Sequence, residues 1–102
     1  MTWYVYIASN ANHTLYVGIT TDPIRRLREH RNGKYEHAFT KRYNFDRIVY
    51  YEPRLGKRDA EKREHQLKGW TRAKKIALIE SMNLEWKNLV DLGTLLGLEK
   101  KG

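Results

Sequence analysis

The chain of 102 residues contains no cysteine. This absence excludes a disulfide framework, a cysteine-ligated zinc finger and a thiol nucleophile. The sequence also lacks a run of about 18 apolar residues and a basic amphipathic helix with bulky apolar residues on its other face, so it predicts no membrane partner. Its N-terminal residues turn polar after a few positions, which is unlike a secretory signal. We therefore expect a cytoplasmic protein.

Basic residues outnumber acidic ones. Lysine and arginine number 20 against 12 aspartates and glutamates, which gives a formal net charge of +8 at pH 7. On charge alone, such an excess favours a polyanionic partner, with nucleic acid as the first candidate and anionic lipid as the second. The missing membrane-binding segments leave nucleic acid. The length is that of one domain, and no linker or internal repeat divides it. We place this domain at residues 1–90 and a C-terminal tail at 91–102.

Two short runs near the N-terminus have the pattern of paired strands. Residues 3–8 and 15–20 alternate with a two-residue period and are rich in β-branched and aromatic residues. The polar residues 9–13 between them have turn composition, so we predict an antiparallel hairpin. One face of this hairpin is aliphatic. The other carries tyrosines and Gly18, where the missing side chain allows a close approach.

A helix is predicted directly after the hairpin. Asp22 has the chemistry of an N-cap, and Pro23 suits the first helical position, where its missing N–H costs nothing. We expect this helix to stop at Asn32 and Gly33. Arg26 and His30 are four residues apart, so their side chains share one stripe of the helix.

A third strand is predicted after an irregular segment. Residues 34–43 are basic and aromatic without a regular period, which favours a loop or a short helical turn. Residues 47–52 alternate as a strand, and Pro53 is expected to end it. Strict alternation would put Ile48, Tyr50 and Glu52 on one face and Val49 and Tyr51 on the other.

Two further helices are predicted over residues 56–70 and from Arg72 to about Met82, with Thr71 as the cap of the second. On the first of them, Glu64 shares the apolar stripe of Ala60 and Leu67. A carboxylate on an inward stripe needs a partner or a function. The predicted fold is α/β (α+β): a three-stranded antiparallel sheet flanked by helices.

These residues together resemble a known family. The order Tyr4-Val5-Tyr6, Tyr16-Val17-Gly18, Arg26, His30 and Glu64 is similar to the motif series of the GIY-YIG nuclease superfamily. Tyr and Val stand where the family name has Gly and Ile, and Val17 replaces the second Ile. Three later stretches, residues 38–43, 48–52 and 63–79, resemble its small stand-alone YhbQ-like bacterial branch.

The resemblance implies a role for each matching residue. Tyr6 and Tyr16 would be the motif tyrosines and Gly18 the motif glycine, while Glu64 would hold one Mg²⁺ or Mn²⁺. The implied activity is hydrolysis of DNA phosphodiester bonds in repair or recombination, with no small-molecule cofactor. Because no recognition helix is evident, we expect a preference for DNA structure rather than for sequence.

The implied chemistry assigns the side chains as follows. Arg26 donates to phosphate oxygens and opposes the developing charge. Tyr6 is the first choice for the group that accepts the proton of the attacking water, and Tyr16 is the alternative. A free phenol has a pKa of about 10, so this role requires nearby cations. His30 would relay a proton or orient a tyrosine hydroxyl.

Other residues are assigned less specific roles. Asn83 is the candidate for an additional polar site residue, although Asn88 is also available and Asn83 can simply cap a helix end. Phosphate contacts are expected from basic side chains, whose alternative role is to solvate ordinary helix faces. These residues are Lys41, Arg42, Lys68, Arg72, Lys74 and Lys75.

Two alternatives to a nuclease stay open at this point. One is a nucleic-acid-binding module that keeps the site geometry without cleavage, and the other is a protein-interaction module whose charge serves solubility. We expect a monomer or a weak homodimer, since the third-strand edge or the leucine-rich tail could support self-association. Taken singly, each tyrosine can also be a structural residue at the edge of the core, with its hydroxyl exposed to solvent.

Overall fold

A three-stranded sheet lies at the centre of the computed structural model, which describes residues 1–31 and 44–90. The strands are β1 (Trp3–Ser9), β2 (Leu15–Thr20) and β3 (Arg47–Arg54), all antiparallel, in the order β2-β1-β3. The helices of these residues are α1 (Pro23–Arg31), α2 (Lys57–Lys68) and α3 (Arg72–Glu80). This architecture confirms the predicted three-stranded antiparallel sheet flanked by helices in a single compact domain.

Some sequence predictions fall outside these ranges. The segment 34–43, the helix stop at Asn32 and Gly33, and the tail at 91–102 lie outside the described residues. The boundary of the tail therefore stays a prediction. Of the helices that the structure describes, none is both long enough and apolar enough to cross a membrane.

Two predicted caps fix the starts of α1 and α3. The Asp22 Oδ1 atom accepts a hydrogen bond of 3.0 Å from the backbone N–H of Arg25. The Thr71 hydroxyl oxygen accepts one of 3.1 Å from the N–H of Lys74. Each cap satisfies an N–H group that has no partner within the first turn of its helix. The Asp22 cap therefore allows α1 to begin directly after β2.

The turn of the hairpin is closed by the side chain of Asn10. Its Oδ1 atom accepts hydrogen bonds from the backbone N–H groups of Asn12 at 2.9 Å and Thr14 at 3.0 Å. His13 has a φ of 60°, a conformation that occurs mainly in tight turns. This turn sets the register of the hairpin, in which Tyr6 faces Gly18.

The two faces of the sheet pack against different helices. The aliphatic face, defined by Val5, Ile7 and Val17, forms one core with apolar residues of α2 and α3. The tyrosine face, defined by Tyr6 and Ala8, packs against Leu27 of α1 together with Phe45, Ile48 and Val90. The sheet therefore lies between α1 on one side and α2 with α3 on the other.

The predicted alternation along β3 is wrong at one point. The register of β3 against β1 shifts between Ile7 and Ala8, which lie opposite Tyr50 and Ile48 respectively. Val49 is the additional residue of this irregularity, and a bulge of this kind reverses the faces of the residues that follow it. Ile48 and Tyr51 consequently pack on the tyrosine face, whereas Val49 and Tyr50 belong to the core of the aliphatic face.

The strand β3 also extends past Pro53, which was predicted to end it. Pro53 pairs with Tyr4, and Arg54 pairs with Trp3. A proline is tolerated here because β3 is an edge strand, where one side of the backbone needs no ladder partner.

The segment after α3 covers part of the outer edge of β3. Leu89 donates its backbone N–H to the Ile48 carbonyl at 2.9 Å, and the Asn88 Oδ1 atom accepts from the Ile48 N–H at 3.1 Å. Asn83 donates to the carbonyls of Val49 at 3.0 Å and Lys87 at 2.8 Å. These bonds stabilise the bulge from the outer edge of β3. They also occupy part of this edge, which the sequence analysis considered as a surface for self-association.

The first prediction concerns Asn83. Substituting Asn83→Ala removes both of these donated hydrogen bonds and the one that Oδ1 accepts from the Lys87 N–H at 2.9 Å. Because the lost partners are largely buried, we expect the free energy of unfolding to fall by about 1–3 kcal/mol. Urea denaturation followed by circular dichroism measures this change. The control is Asn12→Ala at an exposed turn position; equal losses in the two variants would contradict the assignment.

Candidate functional site

Tyr6 and Gly18 form a cross-strand pair on the tyrosine face. A Cβ atom added at Gly18 would lie 2.7 Å from the Tyr6 hydroxyl oxygen and 2.8 Å from the ring carbon that carries it. These distances are well inside van der Waals contact, so any side chain at Gly18 would displace the tyrosine. The glycine is therefore required by the ring of Tyr6 rather than by the backbone of a turn.

The hydroxyl of Tyr6 is bonded to His30. The Oη atom of Tyr6 and the Nε2 atom of His30 are 3.0 Å apart. Tyr6 has no exposed surface, and His30 is only 3% exposed. The bond therefore joins β1 to α1 out of contact with water. Tyr16 and Phe45 complete an aromatic cluster, with ring centroids 5.4 Å and 6.1 Å from that of His30.

Burial keeps the imidazole of His30 uncharged at neutral pH. Desolvation is the main cause that lowers the pKa of His30 from 6.5 to about 4, and the positive charge of Arg26 lowers it further, while Glu29 partly opposes the shift. A neutral imidazole has one N–H donor and one nitrogen that accepts. His30 can thus accept a hydrogen bond from the Tyr6 hydroxyl, or donate one to it, without bringing a charge into the core.

Arg26 lies one helical turn before His30, as its spacing predicted. Its side chain is 25% exposed, and its Nε atom is 3.5 Å from a carboxylate oxygen of Glu29. The other oxygen of Glu29 is 3.9 Å from the Nε atom of Arg25. Glu29 was not identified from the sequence, although its spacing of three and four residues from the two arginines was a usable signal. It helps to hold Arg26 at the rim of the site.

The two motif tyrosines differ in access to solvent. Tyr6 is completely buried, whereas Tyr16 is partly exposed at the edge of the same cluster. Their ring centroids are 6.3 Å apart. Of this pair, Tyr16 is therefore the one whose surface a substrate can reach.

Glu64 lies on α2 between Ala60 and Leu67, which pack against the aliphatic face rather than against this cluster. Its side chain is 22% exposed, and its Oε2 atom is 3.2 Å from the Nζ atom of Lys68. The helix α2 nevertheless contacts β2, the edge strand that carries Tyr16 and Gly18. Glu64 and the tyrosine cluster thus flank the sheet from its two sides.

No preformed metal cage is present in residues 1–31 and 44–90, because no three His, Asp or Glu side chains group there as candidate ligands. Mg²⁺ commonly binds through one or two carboxylates, with waters and substrate phosphates as its other ligands. Glu64 is partly exposed and is paired with the ammonium group of Lys68, so its carboxylate has the chemistry of a ligand in such a site.

The predicted nucleic-acid-binding residues lie in two parts of the chain. Those that the structure describes are at the end of α2 and in α3: Lys68, Arg72 and Lys74 are exposed, and Lys75 is partly exposed. Lys41 and Arg42 lie outside the described residues. Asn83 is 6% exposed, and its side-chain amide is engaged by backbone groups of Val49 and Lys87, which gives it a structural role between β3 and the segment after α3. Its part in the site stays a prediction.

Comparison with known families gives a match over most of the chain. The family model described as the GIY-YIG catalytic domain matches residues 2–77. A UPF0213 protein of Bacillus pumilus is 37% identical over 82 residues, which cover 80% of this chain and 83% of the relative. A UPF0213 protein of Syntrophus aciditrophicus is 39% identical over 77 residues, which cover 76% of this chain and 88% of the relative.

A solved structure shows the same relationship. The solution NMR structure of a UPF0213 protein from Bacillus halodurans is similar to this chain, with a TM-score of 0.54 and 32% sequence identity. The alignment covers 92% of this chain and 99% of that protein.

The second prediction tests the steric role of Gly18. Substituting Gly18→Ala forces a Cβ atom against the buried Tyr6 ring, so we expect the free energy of unfolding to fall by about 1–3 kcal/mol. Thermal or urea denaturation measures the loss. Gly69→Ala is the matched control, because its Cβ would meet its nearest neighbour at an ordinary 3.5 Å. If Gly18→Ala were no more costly than Gly69→Ala, the steric account would be wrong.

Proposed function

The chain belongs to the GIY-YIG catalytic domain family, and from this membership we propose that it is a metal-dependent endonuclease that hydrolyses DNA phosphodiester bonds. The observation that supports this most strongly is the cluster on the tyrosine face. A partly exposed Tyr16 and a partly exposed Arg26 lie at its rim, and a buried, neutral His30 bonded to Tyr6 supports them from below.

Arg26 is suited to hold the scissile phosphate. Its guanidinium group donates charge-assisted hydrogen bonds to phosphate oxygens and stabilises the negative charge that develops on them. The neighbouring carboxylate of Glu29 limits its movement. The net charge of +8 favours the approach of a polyanion from solution.

Tyr16 is the residue that we assign to accept the proton of the attacking water. The sequence favoured Tyr6, but we assign the role to Tyr16 because Tyr6 is completely buried whereas Tyr16 is partly exposed. Tyr6 and His30 are positioning residues in this proposal, because their hydrogen bond and ring contacts fix the ring of Tyr16. In its phenolate form, Tyr16 takes the proton of the attacking water and becomes the phenol, while the water oxygen forms its bond to phosphorus. The bond from phosphorus to the leaving oxygen breaks with its electron pair going to that oxygen, which then takes a proton from solvent.

Glu64 would hold Mg²⁺ or Mn²⁺ in this proposal. When bound, such an ion supplies Lewis-acid stabilisation of charge on a phosphoryl oxygen. The carboxylate would then give up its pairing with the ammonium group of Lys68, whose side chain is 52% exposed and open to a phosphate partner.

We further propose that selectivity is for DNA structure and that the activity serves repair or recombination. A non-cleaving nucleic-acid-binding module is the second candidate. It is favoured by one observation, namely that Glu64 is paired with Lys68 on the opposite side of the sheet from the tyrosine cluster.

The third prediction separates these candidates by cleavage assays. Plasmid, single-stranded and branched DNA are incubated with purified protein and Mg²⁺, Mn²⁺ or EDTA. We expect cleavage only with metal. Arg26→Ala should lower the rate by about 10²–10³-fold, and Tyr16→Phe by about 10²–10⁴-fold.

Glu64→Gln should abolish the metal-dependent cleavage. Glu61→Gln, at an exposed position on the same helix, should leave this cleavage unchanged. Salt-sensitive binding without cleavage in any metal would instead establish the binding module. Cleavage that survives both Glu64→Gln and Tyr16→Phe would contradict the mechanism.

A further inference from the structure

A groove opens beside the candidate site, between the start of β1, the connection from β2 to α1, and α1 itself. Its walls include Met1, Tyr4, Asp22, Ile24, Arg25 and Arg28. None of the residues assigned to catalysis or metal binding above lines it. The groove is therefore separate from the residues of the proposed reacting centre.

Tyr4 forms the aromatic wall of this groove. It lies two residues before Tyr6 on β1, so the two side chains are on the same face of the strand, about 7 Å apart along it. The ring of Tyr4 is partly exposed, and its edge-to-face contact with Tyr51, at a centroid distance of 6.1 Å, holds it in place. A fixed and partly open aromatic ring is a surface on which a planar group can stack.

Two arginines form the charged wall. Arg25 and Arg28 are three residues apart on α1, so their side chains leave the helix on the same side. Both residues are exposed, and the side chain of Arg25 is 57% exposed. Asp22 also borders the groove, but its Oδ1 atom is engaged as the cap of α1. The groove thus combines an aromatic ring with two guanidinium groups that suit an anionic, planar ligand.

We propose that this groove binds the nucleotide next to the scissile phosphate, with its base stacked on Tyr4 and its phosphates on Arg25 and Arg28. A base inside a duplex has both faces covered by its neighbours. The substrate must therefore present a nucleotide with an uncovered base face at this position, as a single strand, a flap or a frayed end does. This inference rests on the proposed function, because it takes the neighbouring cluster as the place where the phosphate is cleaved.

The test measures binding in EDTA, so that it does not depend on cleavage. The probes are a fluorescently labelled oligodeoxythymidylate and an oligomer of equal length whose sugar-phosphate backbone carries no bases. The variants are Tyr4→Leu, which keeps an apolar side chain in the wall, Tyr4→Phe, which keeps the aromatic ring, and Arg28→Ala. Fluorescence anisotropy gives each dissociation constant, and thermal unfolding shows whether each variant is folded.

Stacking predicts a coupling between the ring and the base. Tyr4→Leu should weaken binding of oligodeoxythymidylate by about 5- to 150-fold and leave binding of the abasic oligomer unchanged, while Tyr4→Phe should bind both probes as the unaltered chain does. Arg28→Ala should weaken both probes by the same factor and reduce the salt dependence of binding by about one phosphate contact.

Equal effects of Tyr4→Leu on the two probes would overturn the stacking proposal. So would an unaltered chain that binds the abasic oligomer as tightly as the oligodeoxythymidylate, a comparison that needs no variant to fold. If these binding results are as predicted but no DNA is cut with Mg²⁺ or Mn²⁺, the groove is supported and the proposed nuclease activity fails. If DNA is cut but Tyr4→Leu weakens binding of the two probes equally, the nuclease activity is supported and the stacking proposal fails.

Discussion

The hydrogen bond between Tyr6 and His30 is the constraint on which the rest of the site depends. It is 3.0 Å long and lies in the interior. A buried polar group without a hydrogen-bond partner lowers the free energy of unfolding by about 1–3 kcal/mol. It ties α1 to the central strand, and Gly18 on β2 supplies the space for the tyrosine ring. Three consecutive elements are thereby held together at one point.

This constraint divides the candidate residues by depth. Tyr6 and His30 are buried and give the site its shape, while Tyr16 and Arg26 stand above them where a phosphate can reach. Glu64 belongs to a helix on the other side of the sheet, with the edge strand β2 between them. In the proposed reaction, a nucleic acid strand would have to pass this edge and contact both parts.

Much of this arrangement could be predicted from the sequence because it depends on local patterns. The two-residue period separated the aliphatic face from the tyrosine face, and Asp22 marked the start of α1. The bulge at Val49 could not be predicted, since it depends on bonds to the distant Asn83 and on the register with β1. Periodicity also assigns Tyr6 to a face without giving its depth, and only the packing of α1 shows that this tyrosine is covered.

The central claim is that His30 is a buried, uncharged partner of Tyr6, and titration of its ring by NMR tests this most directly. Comparison with a His30→Gln variant assigns its ring signals among those of the four histidines. The account predicts that the His30 ring titrates with a midpoint of about 4, well below the ordinary 6.5. A midpoint near 6.5 in the folded protein would show that the imidazole is solvated and charged in weak acid, and it would contradict the account.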